Sequence, residues 1–316
     1  MSGCVLCPRH CMVMRDNGEK GFCQETDHLR VARAALHMWE EPCISGEEGS
    51  GTVFFTGCNL RCVYCQNYDL SRSVTGKEIT ISRLAEIFLE LQQKGANNIN
   101  LVTPTHFVPQ IIEALKCAKI RGLHLPVIYN TGGYESEETL AMLDGWVDAY
   151  LPDFKYWDSE QALRYSRAED YPETVKKAIR EMYRQTGACR FDMDGKIQKG
   201  VIVRHLLLPG ELKAAKRIVQ YLYETYGDSV YMSLMNQYTP LETLDTVRYP
   251  ELGRKVTEKE YDALVDYAID LGVECAYIQE GDTAEESFIP PFTLDMSNSP
   301  KILLIFPRLI SSMIKK

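Results

Sequence analysis

The chain has 316 residues, of which 45% are hydrophobic and 25% charged, a composition typical of globular proteins. Its formal net charge of −9 argues against a general nucleic-acid-binding protein, and no apolar run is long enough to span a bilayer. The first residues, MSGCVLCPRHC, lack the hydrophobic core of a signal peptide. We therefore expect a cytoplasmic protein without nucleic-acid or membrane partners, whose eleven cysteines stay reduced.

The first 50 residues are rich in cysteine and glycine, and four cysteines there are separated by two, three and eleven residues: Cys4, Cys7, Cys11 and Cys23. Four thiols suit a closed zinc site or a fully ligated iron–sulfur cluster, and His10 offers an alternative ligand. Such a short segment has too little core to fold alone, so a metal would supply folding free energy. Unmetallated thiols are the remaining alternative. One helix is predicted over residues 27–40.

After Gly51 the sequence alternates between strand-like and helix-like segments. The predicted strands are 52–56, 98–102, 127–130, 148–154, 201–207 and 230–235, with a weaker one at 274–278. Amphipathic segments such as ISRLAEIFLELQQKG separate them, and most end in glycine. The alternation predicts a parallel sheet of right-handed βαβ units, too few for a closed eight-stranded barrel.

We therefore predict an α/β fold with three parts. An N-terminal Cys-rich segment covers residues 1–50, an open, partial (β/α)6 TIM-like barrel covers 51–290, and an apolar and basic tail covers 291–316.

The stretch GCNLRCVYCQN follows the first strand of the predicted barrel and carries Cys58, Cys62 and Cys65. In parallel α/β folds, the loops at the carboxyl ends of the strands converge on one face and carry the chemistry. Three thiolates fit three irons of a [4Fe–4S] cube, which leaves the fourth iron open to an outside ligand. The alternative is zinc with a fourth ligand from elsewhere, although zinc sites usually close with four protein ligands and favour paired C-x2-C knuckles.

This C-x3-C-x2-C spacing, with Tyr64 before the last cysteine and Asn67 shortly after it, resembles the radical S-adenosylmethionine (SAM) enzymes. GCNLRCVYCQN is most similar to the pyruvate formate-lyase activating-enzyme branch. The longer run ALHMWEEPCISGEEGSGTVFFTGCNLRCVYCQN is similar to a subgroup of activase homologues with undefined substrates, and the resemblance covers about residues 1–290. It implies a barrel of radical SAM type, in which the open iron binds SAM and the reduced cluster cleaves it to a hydrogen-abstracting 5′-deoxyadenosyl radical.

The resemblance also implies SAM-binding residues near the cluster loop and after the second strand. Tyr64 would pack near the adenine, and Asn67 would lie close to SAM. Thr103, Pro104 and Thr105 stand where the family usually has Gly-Gly-Glu, which contacts the SAM amino group. Hydroxyls and backbone carbonyls would have to replace the missing carboxylate there.

Further implied SAM contacts lie at the ends of later strands. Asn130 and Thr131 match an Asp-Thr pair that helps to hold a monovalent cation beside SAM, and Asp153 is a candidate ligand of that cation. Lys155 is a candidate partner for the SAM carboxylate, and Arg204 matches an arginine that contacts SAM. An exposed ion pair between Asp153 and Lys155 is the structural alternative.

Four other ionisable residues have open roles. His205 should face the opposite side of its strand from Arg204, because side chains alternate. His106 is either a substrate contact or a structural histidine. Glu40 and Glu41 either end the first predicted helix or reach the active site.

Three functions remain open. The leading one is an activase-like enzyme that takes an electron from a donor such as flavodoxin or ferredoxin and abstracts hydrogen from glycine in a partner glycyl-radical enzyme. The second keeps the radical chemistry but acts on a small molecule or another macromolecule. The third is a non-catalytic zinc or iron–sulfur module, such as an electron carrier.

Overall fold

The computed structural model describes residues 3–73 and 75–279. The strands are β1 (Arg30–His37), β2 (Ser50–Phe55), β3 (Lys77–Glu78), β4 (Ile99–Val102), β5 (Val127–Thr131), β6 (Ala149–Pro152), β7 (Arg190–Phe191), β8 (Ile197–Leu206), β9 (Tyr231–Met235) and β10 (Ala276–Ile278). The α-helices are α1 (Pro42–Ser45), α2 (Tyr68–Ser71), α3 (Ile81–Gln93), α4 (Val108–Ile120), α5 (Glu137–Met142), α6 (Ser159–Ser166), α7 (Tyr171–Thr186), α8 (Leu212–Tyr226) and α9 (Glu258–Leu271). The predicted tail, 291–316, lies outside the described residues.

The strands form one mostly parallel sheet in the spatial order β10-β9-β8-β6-β5-β4-β2-β1-β3, with β7 paired to β8 beside this path. All neighbours from β2 to β10 are parallel. Six of these strands are followed by helices before the next parallel strand, and the two ends of the sheet, β10 and β3, do not pair with each other. The predicted α/β fold with a partial (β/α)6 barrel is confirmed, and so are the seven predicted strands.

The predicted helix over residues 27–40 is wrong. Residues Arg30–His37 form β1, which pairs antiparallel with β2 and also with β3. Alanine, leucine and arginine favour helices, but pairing satisfies the main-chain groups along the open edge of β2, so tertiary context overrides propensity. Residues before position 50 therefore form part of the edge of the main sheet. The proposed domain boundary at residue 50 stays a prediction.

Side chains on the two faces of the parallel strands have different neighbours. One face packs against the helices in the main hydrophobic core. On the other face, Cys43 and Ile44 of α1 pack with residues near the starts of several strands, including Ile128, Ala149 and Ile197. The segment between β1 and β2 thus covers the inner face near the amino ends of the strands. Within the described residues, no helix is both long and apolar enough to cross a membrane.

Candidate metal centre and active site

The loop after β2 carries three thiols, two of which accept hydrogen bonds. Cys62 is buried, and Cys58 and Cys65 are partly buried. The Leu60 N–H donates to Cys58 Sγ at 3.4 Å, and the Ser166 hydroxyl donates to Cys62 Sγ at 3.0 Å. Burial raises the pKa of Cys58, and it raises the pKa of Cys65 to about 12. Burial therefore disfavours the free thiolates. A bound metal would stabilise them, because it holds its thiol ligands deprotonated. The donor set fits a metal–thiolate centre.

Tyr64 is part of a buried series of hydrogen bonds that ends at Cys62 in the three-cysteine loop. Its hydroxyl donates to the Tyr156 hydroxyl at 2.8 Å, and that hydroxyl lies 2.6 Å from Ser166 Oγ, which donates to Cys62. Its ring also contacts three tyrosines with centroids 6.1–6.4 Å apart: Tyr156, Tyr165 and Tyr238. Ser166 is a residue that sequence reasoning missed, since it lies about one hundred positions from the cysteines and carries no motif.

Arg204 on β8 lies at the centre of a polar network at the carboxyl ends of the strands. Its Nε donates to Asp153 Oδ1 at 3.0 Å, its NH1 to Glu40 Oε2 at 3.2 Å and its NH2 to Asn130 Oδ1 at 2.6 Å. Lys155 Nζ donates to Asp153 Oδ2 at 2.5 Å. Four predicted SAM-site residues therefore lie together, and the ion pair between Asp153 and Lys155 is largely buried rather than exposed.

The charges in this network keep one another ionised. Burial by itself would raise the pKa of Asp153, but Lys155 and Arg204 outweigh burial and hold that pKa below its usual value. Burial would lower the pKa of Lys155 and of Arg204, and the Asp153 carboxylate reverses this effect in both cases. The site therefore holds two largely buried cations and at least one carboxylate at neutral pH.

Lys155 also lies within electrostatic reach of the three-cysteine loop. Its charge lowers the pKa of Cys58 and Cys65, against the larger effect of burial. The charge on Cys62 raises the pKa of Lys155 in turn. The polar network therefore lies close enough to the three thiols to affect their charge, as expected for loops at the carboxyl ends of parallel strands.

Glu40 is part of this site, although sequence reasoning left its role open. After β1 ends, the chain turns across the inner face of the sheet, and the Glu40 N–H donates to Ser45 Oγ at 3.0 Å. Asn100 Nδ2 and Asn130 Nδ2 donate to Glu40 Oε1 at 3.1 and 3.2 Å. Burial raises the pKa of Glu40 and of Glu41, and Arg204 opposes the rise in both cases. The acidic pair before Pro42 was the only sequence signal for this position.

Thr105 and Thr131 contact a second carboxylate that sequence reasoning did not single out, Glu135. Thr105 Oγ1 donates to Glu135 Oε1 at 2.6 Å, and Thr131 Oγ1 donates to the same oxygen. The Tyr129 hydroxyl donates to Oε2 at 3.3 Å. Burial raises the pKa of Glu135 to about 7, and these hydroxyls oppose the rise. Thr131 therefore contacts a different cluster from its neighbour Asn130, in line with the alternation of side chains along β5.

Other predicted residues are held mainly by the main chain. Thr103 has a φ of +57°, which is unusual for a β-branched residue, and its N–H donates to the Asn130 carbonyl at 2.9 Å. Asn67 is partly buried and precedes α2. His106 Nε2 bonds the Thr56 carbonyl at 2.6 Å, and burial lowers its pKa to about 3, which favours the structural role.

The buried His205 bonds the Phe154 carbonyl through Nδ1 at 2.7 Å and takes no part in the hydrogen bonds of Arg204. Burial lowers its pKa to about 4, so it is neutral at physiological pH.

The four N-terminal cysteines lie near one another. The Cys4 N–H donates to the Val13 carbonyl at 2.9 Å, and the Phe22 N–H donates to Cys11 Sγ at 3.3 Å. The charge of Cys23 acts on Cys7, and that of Cys4 acts on Cys23. In residues 3–73 and 75–279, no group of three or more His, Cys, Asp or Glu side chains is arranged to hold a single metal ion, and this applies to both sets of cysteines.

The family model described as the radical SAM superfamily matches residues 52–222. The chain belongs to the radical SAM superfamily. The matched residues run from β2 to the middle of α8 and include the three-cysteine loop, Asp153, Lys155 and Arg204. Membership indicates an enzyme that cleaves SAM reductively with an iron–sulfur cluster.

Two relatives match different lengths of this radical SAM chain. An uncharacterised protein of Methanocaldococcus jannaschii is 28% identical over 287 residues, which are 87% of this chain and 76% of that protein. The pyruvate formate-lyase-activating enzyme of Clostridium pasteurianum is 31% identical over 113 residues, which are 34% of this chain and 46% of that enzyme.

Two solved structures resemble part of the radical SAM chain. SuiB of Streptococcus suis, solved with S-adenosylmethionine bound, aligns with a TM-score of 0.49 and 11% identity over 71% of this chain and 48% of its own. Methylornithine synthase aligns with a TM-score of 0.49 and 14% identity over 70% of this chain and 60% of its own. The chain thus spans about half the length of SuiB.

Proposed function

We propose that Cys58, Cys62 and Cys65 hold a [4Fe–4S] cluster whose fourth iron binds SAM. When bound and reduced, this cluster supplies the electron that cleaves SAM to methionine and a 5′-deoxyadenosyl radical. The observation that carries the proposal is the position of Lys155 and Arg204, two largely buried cations beside a three-thiol loop at the carboxyl ends of parallel strands.

Lys155 and Arg204 are proposed to bind the SAM carboxylate. Both cations already bond Asp153, one to each carboxylate oxygen, so their positions are fixed before SAM arrives. Asp153 thereby acts as the anchor of two cations. Preorganised charges of this kind bind an anion without first reorganising, which is where such sites gain affinity and rate.

The same contacts occupy the side chains that the resemblance assigns to a monovalent cation. Both oxygens of Asp153 are engaged, and Thr131 donates to Glu135 rather than offering its hydroxyl oxygen beside Asn130. We infer that Lys155 and Arg204 supply the positive charge that a bound monovalent cation would bring.

The SAM amino group is proposed to meet main-chain carbonyls of the loop after β4. Thr105 donates its hydroxyl to Glu135, whereas Thr103 is held in a left-handed conformation that non-glycine residues adopt only when the surroundings demand it. Tyr64 and Asn67 stay the candidates near the adenine.

The proposal for the substrate is more specific than the proposal for SAM cleavage. We propose glycine in a partner glycyl-radical enzyme, with flavodoxin or ferredoxin as the electron donor. The local similarity to the C. pasteurianum activating enzyme supports it over 113 residues. The N-terminal cysteines are proposed to bind zinc or a second iron–sulfur cluster. Zinc binding would have to draw the thiols together, because they do not surround a single ion site in the described residues.

The first experiment measures 5′-deoxyadenosine released from SAM by anaerobically reconstituted, reduced protein. We expect release by the wild type and by Cys117→Ala, which removes an exposed cysteine of α4. The variant with Cys58, Cys62 and Cys65 all changed to alanine should release none. Release by that triple variant, or no release by the wild type with its cluster intact and a donor present, would overturn the proposal.

A second experiment addresses the substrate. A glycyl-radical enzyme carrying α-deuterated glycine is mixed with the reduced protein and SAM, and the deuterium content of 5′-deoxyadenosine is measured. Transfer of one deuterium per cleavage supports the activase function. Cleavage without deuterium transfer, seen with several such enzymes, would redirect the search to a small molecule or another macromolecule.

A further inference from the structure

Three arginines lie beside the three-cysteine loop: Arg61, Arg72 and Arg167. Arg61 is part of the loop and immediately precedes Cys62. Arg72 directly follows α2, the helix after the loop, and its NH2 donates to the Arg61 carbonyl at 3.0 Å. Arg167 follows Ser166, whose hydroxyl donates to Cys62 Sγ at 3.0 Å. These three residues form an arginine patch next to the proposed SAM cluster.

The N-terminal segment holds the arginine patch in place. Arg9 donates to the carbonyls of Ser166, at 2.7 Å, and Arg167. The Phe22 ring lies 3.9 Å from the guanidinium carbon of Arg9 and 5.4 Å from that of Arg61. The Phe22 carbonyl also accepts from Arg61 NH1 at 3.3 Å. Since main-chain hydrogen bonds and cation–π contacts both fix this region, its charges are positioned before any partner binds.

The arginine patch has no carboxylate partner in residues 3–73 and 75–279. The ion pairs of those residues include none of the three arginines, and they do not include the exposed neighbours Asp69 and Glu169 either. Burial lowers the pKa of Arg61, and the charges of Arg72 and Arg167 lower it further. Unbalanced like charges on a chain of net charge −9 indicate an anionic partner.

The exposed part of the arginine patch has the composition of a protein interface. Arg167 is exposed, and Arg61 and Arg72 are partly exposed. Tyr68, the first residue of α2, is 41% exposed, and its ring centre lies 5.1 Å from the guanidinium carbon of Arg72. Arginine and tyrosine are enriched in protein interfaces and among their energetic hot spots. This surface therefore favours a protein partner over a small anion.

We propose that the arginine patch is the docking surface for an acidic electron-donor protein, such as a flavodoxin of net negative charge. One electron would pass from the reduced donor to the oxidised cluster, so that the donor is oxidised by one electron and no proton has to move. A donor docked there would lie close to the cluster, because Arg61 belongs to the loop that carries the proposed ligands. Complementary charges would also speed the encounter. The inference rests on the proposed function and adds the surface through which the electron enters.

The test compares two electron sources for SAM cleavage by the anaerobically reconstituted full chain. Dithionite is a small reductant that needs no docking surface, whereas reduced flavodoxin is a protein donor. One variant combines Arg72→Gln with Arg167→Gln, and a second changes the same two residues to lysine, which keeps the charge. The matched control combines Lys213→Gln with Arg217→Gln, which removes two exposed cations of α8. Iron and sulfide analysis verifies that each protein carries its cluster.

With limiting flavodoxin, the glutamine pair should release 5′-deoxyadenosine roughly 10-fold more slowly than the wild type or less, because charge steering raises association rates about 10- to 1000-fold. The lysine pair and the α8 control should stay within about threefold of the wild type. With dithionite, all four proteins should cleave SAM at the same rate. Added salt should slow the flavodoxin reaction of the wild type much more than that of the glutamine pair.

Equal rates with flavodoxin for the wild type and the glutamine pair would overturn the docking surface. An equal loss with both electron sources would also overturn it, because the arginines would then support the cluster itself.

Isothermal titration calorimetry with oxidised flavodoxin tests docking without catalysis. The glutamine pair should raise the Kd roughly 10-fold or more, since hot-spot arginines contribute on this scale, and an unchanged Kd would overturn the proposal. A wild type that fails to cleave SAM with dithionite would instead overturn the proposed function, and the titration would still decide the docking surface.

Discussion

Replacing Asp153 by asparagine tests whether the cations of the proposed SAM site depend on one carboxylate. Lys155 Nζ lies 2.5 Å and Arg204 Nε 3.0 Å from its two oxygens, and both side chains are at least four-fifths buried. Asparagine keeps the size of the side chain but removes the charge, which leaves Lys155 without its carboxylate partner. Removing one member of a buried ion pair costs about 3–5 kcal/mol. Since Arg204 keeps Glu40, we expect about 3 kcal/mol.

The assay is urea unfolding of the reconstituted protein at pH 7. With a slope of about 3 kcal/mol per molar urea, the loss lowers the midpoint by about 1 M. The matched control is Asp144→Asn, which breaks an exposed ion pair with Arg184 at 2.9 Å. Exposed pairs contribute about 0–1 kcal/mol, so this midpoint should fall by less than about 0.3 M. Equal midpoints for the two variants would refute the reasoning.

The pH dependence gives the same prediction a second test. Because the folded pKa of Asp153 lies below its unfolded value, the carboxylate contributes its full stabilisation above about pH 4 and loses it as the pH falls through the folded pKa. The gap between wild type and Asp153→Asn should therefore stay constant from about pH 8 to about pH 5 and shrink only in stronger acid. A gap that changes between pH 6 and 8 would point to a different titrating group.

Three further predictions concern the surroundings of the cluster loop. Glu135 has a pKa raised by burial from 4.5 to about 7, so wild-type stability should fall by up to about 3 kcal/mol as the pH rises through this window. Glu135→Gln should flatten that slope in urea titrations, and an unchanged slope would contradict the assignment. Gly57→Ala should lower the melting temperature far more than Gly95→Ala. Both glycines have positive φ, but only at Gly57 would the added carbon meet main-chain atoms, at 2.6 Å. Ser166→Ala should make the reduction potential of the proposed SAM cluster more negative, because it removes a hydrogen bond to the sulfur of Cys62, a proposed ligand. A voltammetric potential that does not move would show that Cys62 gains nothing from this contact.

The parallel sheet was predictable because its strands are apolar runs whose pattern is local. The ends of those strands could then be located to within a few residues, and with them Asn130, Asp153 and Arg204. The edge strand β1 was not predictable from residues 27–40 alone, because alanine-rich segments take the structure that their partner imposes. Its partner is β2, and the pairing is a tertiary contact.

Contacts between residues that are far apart in the sequence could not be predicted either. Glu40 meets Arg204 across 164 positions, and Ser166 meets Cys62 across 104. Neither residue belongs to a motif, and their roles come entirely from how the chain folds over the inner face and the cluster loop. That Asn130, Asp153 and Arg204 lie together could be predicted from the ends of their strands, whereas the residues that join them or the thiols from other elements could not.

The cations inside the protein differ in how their charges are balanced. The chain is acidic overall, yet Arg15, Lys155 and Arg204 are buried, and two of them lie within electrostatic reach of a proposed thiolate site. Lys155 and Arg204 have a carboxylate to balance them, while Arg15 bonds only main-chain carbonyls among the described hydrogen bonds. Since an acidic surface cannot offset a charge inside the protein, the balance for Arg15 has to be local. A buried carboxylate is available there, since Glu25 is 1% exposed and precedes Thr26, whose carbonyl accepts from Arg15.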